Sequence, residues 1–148
     1  MTASEIFKIV NPLAAFCWIV LVVFPRWKYV RVITVTGMSS LVFSGIYAFS
    51  LAAGMRSGAE GDFQSLEGVA KLFENPYALL AGWVHYLAFD LFAGSWISAD
   101  ALKNRISRWI VLPAQFFTFM FGPIGLFMYL AIRAVFARQT LLNDPFGA

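Results

Sequence analysis

Four predominantly apolar runs, each close to the length of a bilayer crossing, constrain this chain more than any other feature. They cover residues 6–24, 32–53, 76–99 and 109–132. A helix needs roughly 20 predominantly apolar residues to cross about 30 Å of hydrocarbon. Each run is too long for a strand and none alternates with period two, so each reads as a helix. In lipid a lone apolar run must satisfy its backbone internally, which only a helix does. The expected fold is all-α: a four-helix transmembrane bundle forming one integral membrane domain over residues 1–148.

Composition agrees and narrows the function. Hydrophobic residues make up 60% of the chain and charged residues 13%, where a soluble domain carries about 25% charged. That excludes a soluble enzyme and a disordered linker. The single Cys and single His exclude an internal disulfide, a thiolate metal cluster and a His-rich di-iron site. There is no Gly-rich phosphate loop, and no metal or other cofactor is expected. The net charge of +3 is spread over the connections, so nucleic acid is not an expected partner; membrane lipid is. The first run exceeds a signal-peptide core of roughly 7–15 residues. Pro25-Arg26-Trp27-Lys28 follows it instead of a small-residue cleavage site, so it is expected to stay as a span. No Arg/Ser-rich transit segment precedes it, and the expected location is a bacterial inner membrane rather than a plastid.

The connections differ in charge. Residues 25–31 carry Arg26, Lys28 and Arg31, and residues 100–108 carry Lys103, Arg105 and Arg108. Residues 54–75 are acidic, with Glu60, Asp62, Glu67 and Glu74 against Arg56 and Lys71. The positive-inside rule puts the two short basic loops in the cytoplasm and both termini outside. On that count six basic residues face five: Lys8, Arg56, Lys71, Arg133 and Arg138 lie outside. Within the long loop Phe63, Leu66, Val69, Ala70 and Phe73 recur at steps of three and four, predicting an amphipathic interfacial helix that either lies at the membrane surface or forms a lid over a site on that face. Asn75-Pro76 then starts the third span, as N-cap and first helical residue. In the second span Ser40, Ser44, Ala48 and Ala52 recur every four residues, a small-residue face for close packing within the chain or in a homo-oligomer.

The third run carries the polar groups that could do chemistry. Asp90 sits near its middle, where a charged carboxylate costs at least ~2.5–3.5 kcal/mol. It must face the bundle, pair with a donor, or keep its proton. A carboxyl that keeps its proton is a candidate general acid; the competing reading is packing glue, bonded to Ser, Tyr or Gln on another helix. His85 lies five residues earlier. On an ideal helix that is a turn of about 140° and a rise of about 7.5 Å, so the two do not share a face. His85 shares a stripe with Phe89, Phe92 and Trp96, and Asp90 one with Trp83, Tyr86 and Gly94. Either His85 acts as a base or ligand, or it is bonded to a carbonyl or hydroxyl in the packing. The fourth run carries Gln115, Thr118 and Gly122-Pro123. Pro123 frees the Phe119 carbonyl, so a kinked span is expected. Phe116, Phe117, Phe119, Phe121, Phe127 and Tyr129 surround the kink. Such a wall suits a polyene or prenyl lipid, and suits ordinary lipid and helix packing equally. Asp100 with Lys103 and Asn104 reads as an end-of-helix ion pair.

Three motifs in order resemble the abscisic-acid-deficient-four-like family of membrane proteins. They are Phe63-x-Ser65-Leu66-Glu67-Gly68-Val69, then Trp83-x-His85-Tyr86-x-x-Phe89-Asp90-Leu91-Phe92-x-Gly94-x-Trp96-Ile97, then Phe119-x-Phe121-Gly122-Pro123-x-Gly125-Leu126. The resemblance covers nearly the whole chain. The family's plant member is associated with neoxanthin synthesis from violaxanthin. The resemblance therefore implies an isomerase that turns a carotenoid or related terpenoid epoxide into an allenic alcohol. Such a step has no net redox change: an acid meets the epoxide oxygen and a base takes a proton from the polyene. On this implication Asp90 is the acid and His85 the base. Trp83, Tyr86, Phe89, Trp96, Gln115 and Phe119 are the expected substrate contacts. The alternative is a non-catalytic membrane protein that binds pigment or lipid, or an assembly subunit of a membrane complex.

Overall fold

The structure, a computed structural model, describes residues 1–25 and 38–136. The described residues form six helices and no strand. In chain order they are α1 (Ala3–Val23), α2 (Met38–Arg56), α3 (Leu66–Glu74), α4 (Pro76–Lys103), α5 (Arg108–Phe121) and α6 (Pro123–Phe136). Arg26, Lys28, Arg31, the start of the expected second span and Arg138 lie outside the described residues. Two helices, α1 and α4, are long and apolar enough to cross a membrane.

Local chemistry sets the helix starts. Thr2 and Glu5 make a reciprocal capping box at α1: the Glu5 amide donates to Thr2 Oγ1 (3.3 Å) and the Thr2 amide to Glu5 Oε2 (2.8 Å). Ser65 caps α3 by accepting from the Gly68 amide at 3.0 Å. Asn75 caps α4, its Oδ1 accepting from the amides of Tyr77 (3.0 Å) and Ala78 (3.2 Å). Pro76 takes the first helical position, where a missing N–H costs nothing.

α4 is the central post, and every other helix packs on it. Val10, Ala14, Trp18 and Leu21 form one stripe of α1 in a buried cluster with Leu80, Val84, Leu87 and Leu91 of α4 and Phe43 of α2. Gly54 brings α2 close to α4: a Cβ there would sit 3.1 Å from the Ala78 nitrogen. The expected small-residue face of α2 largely turns away from α4. Ser40 donates to the Ala88 carbonyl (3.3 Å), while Ser44, Ala48 and Ala52 are exposed. Across α1, the opposite face leaves Ile9 56%, Phe16 62% and Ile19 60% exposed. A contiguous apolar face of that kind needs something other than water to cover it.

The expected fourth span is not one helix. Gly122 adopts φ 44° and ψ −90°, a left-handed region that Gly enters without a Cβ penalty. Pro123 cannot continue the hydrogen-bond ladder but fits the first position of a new helix. The chain therefore reverses instead of kinking. α6 lies back on α5, and at Gly125 an added Cβ would overlap the Thr118 amide and the Ala114 carbonyl. Tyr129 shares a second buried cluster with Val111, Ala114, Ile97 and Ala101. Each arm has 14 residues, about 21 Å, short of a full crossing.

This reversal corrects two further expectations. Asp100 does not form its ion pair with Lys103. Its Oδ2 accepts from Arg133 Nε (2.8 Å) and from the Tyr129 hydroxyl (2.7 Å), both on α6. Arg133 therefore belongs to the same end of the molecule as Lys103, Arg105 and Arg108, not to the opposite end. Arg108 also donates to the Val22 carbonyl at the end of α1 (2.9 Å). The other end gathers the start of α1, the end of α2, α3 and the start of α4. There the Tyr77 hydroxyl donates to the Met1 carbonyl (2.9 Å) and Asn75 Nδ2 to Ser57 Oγ (2.9 Å).

Candidate functional site

Asp90 stands at the middle of α4, on the side that receives the α5–α6 reversal. It is 7% exposed, and its Oδ2 has no hydrogen-bond partner among the described residues. Gly122, at the tip of the reversal, lies directly against the carboxyl: a Cβ on it would overlap Asp90 Oδ1. Gly122 is thus required twice, for its backbone angle and for the space. Tyr86, one turn earlier on α4, stands beside the same carboxyl. Its hydroxyl donates to the Met120 carbonyl at 2.9 Å. That carbonyl belongs to the last turn of α5, which has no intrahelical donor of its own. α6 begins one residue beyond Gly122, so both helix ends of the reversal sit next to Asp90.

Aromatic rings border this point. The Trp18 ring fills the space over Gly94, where an added Cβ would overlap it. Trp18 meets Phe119 edge-on at 5.6 Å. Trp83 packs on Tyr86 at 5.6 Å and on Phe7 at 5.9 Å, and its indole N–H donates to Asn11 Oδ1 at 2.9 Å. Trp83 and Phe119 stay 40% and 37% exposed, so the border opens outward from the helices.

The structure brings together Asp90, Tyr86, Trp83 and Phe119 from the expected set. It places the others elsewhere. His85 is exposed on another face of α4, its ring 5.5 Å from Tyr47 and 4.6 Å from Phe89. Trp96 packs edge-on against Tyr129 at 5.6 Å. Gln115 is buried and donates to Ser98 Oγ at 2.6 Å, a bond that ties α5 to α4. Gln115 and Ser98 also reach a cavity of about 830 Å³ between the ends of α1 and α4 and the start of α5. That cavity lies two turns along α4 from Asp90. Sequence reasoning missed Trp18 and the role of Gly122. Trp18 was visible as a member of the stripe formed by Val10, Ala14 and Leu21; the contact of Gly122 had no sequence signal.

Helices alone among the described residues, two of them long and apolar enough to cross a membrane, with a buried carboxyl that has one oxygen unpartnered at a helix reversal bordered by aromatic rings, define a class of apolar helical proteins. Within that class the chain belongs to the ABA DEFICIENT 4-like family, whose family model matches residues 5–129. The match runs from the first turn of α1 into the first half of α6 and takes in the reversal and Asp90. Comparisons with curated proteins and with solved structures give no match.

Proposed function

We propose that this chain is a membrane-embedded protein that acts on a carotenoid or related terpenoid by acid/base isomerisation of the epoxide-to-allene type, with Asp90 as the proton carrier. The observation that carries the reading is Asp90 itself: a buried carboxyl with one oxygen unpartnered beside a Gly that leaves it room. A side chain kept only as glue has its bonds made, as Gln115 does with Ser98. Family membership supports the substrate class.

The proton balance needs one carboxyl and no redox partner. Asp90 in its acid form gives its proton to the epoxide oxygen as the C–O bond opens. The carboxylate then takes a proton from the neighbouring polyene carbon, forming the allene and restoring the acid. His85, on a separate face, has no place in this step. Tyr86, whose hydroxyl is engaged by Met120, positions the reversal against Asp90. In the bilayer we place α1, α2 and α4 as crossings, with α5 and α6 as a hairpin that enters and leaves on one side. Non-helical backbone at membrane depth is tolerated where protein covers it, and Gly122 is buried. The outward-facing aromatic border, with Trp83 40% and Phe119 37% exposed, also fits a second reading, a protein that binds a pigment or lipid without changing it.

Asp90→Asn decides between them. Asn keeps the shape and cannot deliver a proton. Turnover of an epoxycarotenoid should fall about 10²–10⁴-fold while the thermal midpoint in detergent barely moves. His85→Gln should keep activity within a few-fold. An Asp90→Asn variant that still turns over the epoxycarotenoid would reject the proton-carrier role, and native protein that retains a carotenoid unchanged would leave the binding reading.

A further inference from the structure

We propose that the cavity at the basic end of the molecule binds an amphiphile with a phosphate-bearing anionic head. The cavity measures about 830 Å³ and is lined by Val22, Ile106 and Val111 on apolar walls and by Arg105 and Arg108. That volume falls within the roughly 300–1,000 Å³ range of small-molecule sites. Among the described residues no Asp or Glu lines it. The nearby carboxylate, Asp100, is already engaged by Tyr129 and Arg133. Arg108 directs one N–H at the Val22 carbonyl. The guanidinium of Arg105 has no hydrogen-bond or ion-pair partner among the described residues.

The backbone at Arg105 is itself informative. Among the described residues it is the one non-glycine with positive φ, at 56°. A turn after a helix usually gives that conformation to Gly or Asn. Here the turn is closed by the Ile106 amide donating to the Ala101 carbonyl (2.9 Å), and the strained position carries a guanidinium at the cavity wall. Strain of this kind gathers where a side chain must be held for a ligand. A guanidinium fork matches phosphate oxygens in pairs, and the apolar walls cover a hydrocarbon chain that a free phosphate lacks. Trp109, 79% exposed beside the cavity, suits the headgroup level of a bilayer. Ser98, at the cavity, is two turns beyond Asp90, about 12 Å along the helix, so this is a second site. It rests on the membrane placement proposed above and not on the isomerase chemistry.

The test is native mass spectrometry of the full chain released from a neutral detergent. Phosphatidylglycerol, phosphatidylcholine and inorganic phosphate are titrated separately and in competition. Phosphatidylglycerol should bind saturably, at least about tenfold more tightly than phosphatidylcholine, the scale of one charge-assisted contact. Arg105→Gln keeps the backbone demand and removes the charge; it should cost about tenfold, and Arg105→Lys should recover part of it. Unchanged thermal midpoints establish that both variants fold. Equal retention of the two lipids, or an unaltered Arg105→Gln, would overturn the proposal. Inorganic phosphate competing as well as the lipid would overturn the amphiphile. A chain that stays dispersed without detergent would instead refute the membrane placement.

Discussion

At Gly122 two physical demands meet on one residue. Its φ of 44° costs an L-residue roughly 1–2 kcal/mol, and its missing Cβ leaves room for the Asp90 carboxyl. Gly122→Ala should therefore lose at least about 2 kcal/mol, the backbone term plus the overlap. A lowered thermal midpoint in detergent, with loss of whatever Asp90 does, is the expected outcome. Gly45 gives the control: it lies within α2 with nothing within 4 Å of an added Cβ. Gly45→Ala should be neutral or stabilising by up to about 1 kcal/mol through helix propensity. A fall at Gly45 equal to that at Gly122 would mean that general fragility, not the contact, is being measured. The burial of Asp90 was legible in the sequence because hydrocarbon penalises a carboxyl wherever it cannot face protein. Its neighbour was not legible, because nothing local to residue 90 says which segment 32 positions later will return to touch it.

Among the elements, α4 was the most legible and the α5–α6 hairpin the least. Asn75-Pro76 marks a helix start through its own side-chain chemistry, and the structure begins α4 there. The amphipathic helix expected from residue 63 forms only from Leu66, as α3, and leaves Phe63 before its cap; Phe63 is 78% and Leu66 81% exposed, and the Phe73 ring lies against Gly82. The fourth apolar run has the same hydropathy whether it crosses once or doubles back. Gly122-Pro123 is compatible with a kink or a reversal, and a partner far away in sequence decides. That partner is Asp100, which holds the far arm through Arg133 and Tyr129. The Arg133 and Asp100 side chains are only 17% and 11% exposed, so the pair is not a screened surface contact. Removing one member of a buried pair strands the other, at about 3–5 kcal/mol. Arg133→Gln should lower the thermal midpoint strongly and loosen α6 from α4, seen as faster amide exchange over α6. Exchange that stays slow in that variant would show that Gly125 and Tyr129 hold the hairpin without the ion pair.

For the whole molecule the hairpin changes the charge ledger. With a single fourth span, Arg133 sits opposite Lys103, Arg105 and Arg108, and the positive-inside count is nearly even. With the reversal, all four lie at one end, where Asp100 is the acid paired to Arg133. The other end holds Glu5, Glu60, Asp62, Glu67 and Glu74 against Lys8, Arg56 and Lys71. The reversal moves Arg133 to the end that carries Lys103, Arg105 and Arg108, and on the membrane placement proposed above the positive-inside rule then expects that end to face the cytoplasm. The two topologies differ at a position that can be read chemically. Replacing Cys17, the chain's single cysteine, by Ser gives a background for single cysteines at Ser107, Val135 and Glu60. Ser107 and Glu60 are exposed, and Val135 is 72% exposed. In intact cells a membrane-impermeant maleimide should label position 60 and spare both 107 and 135; in inverted vesicles the pattern should reverse. A single crossing by residues 109–132 would instead put 135 with 60. Labelling of 107 and 135 from opposite sides would therefore reject the hairpin, and with it the contact between Gly122 and Asp90 on which the site depends.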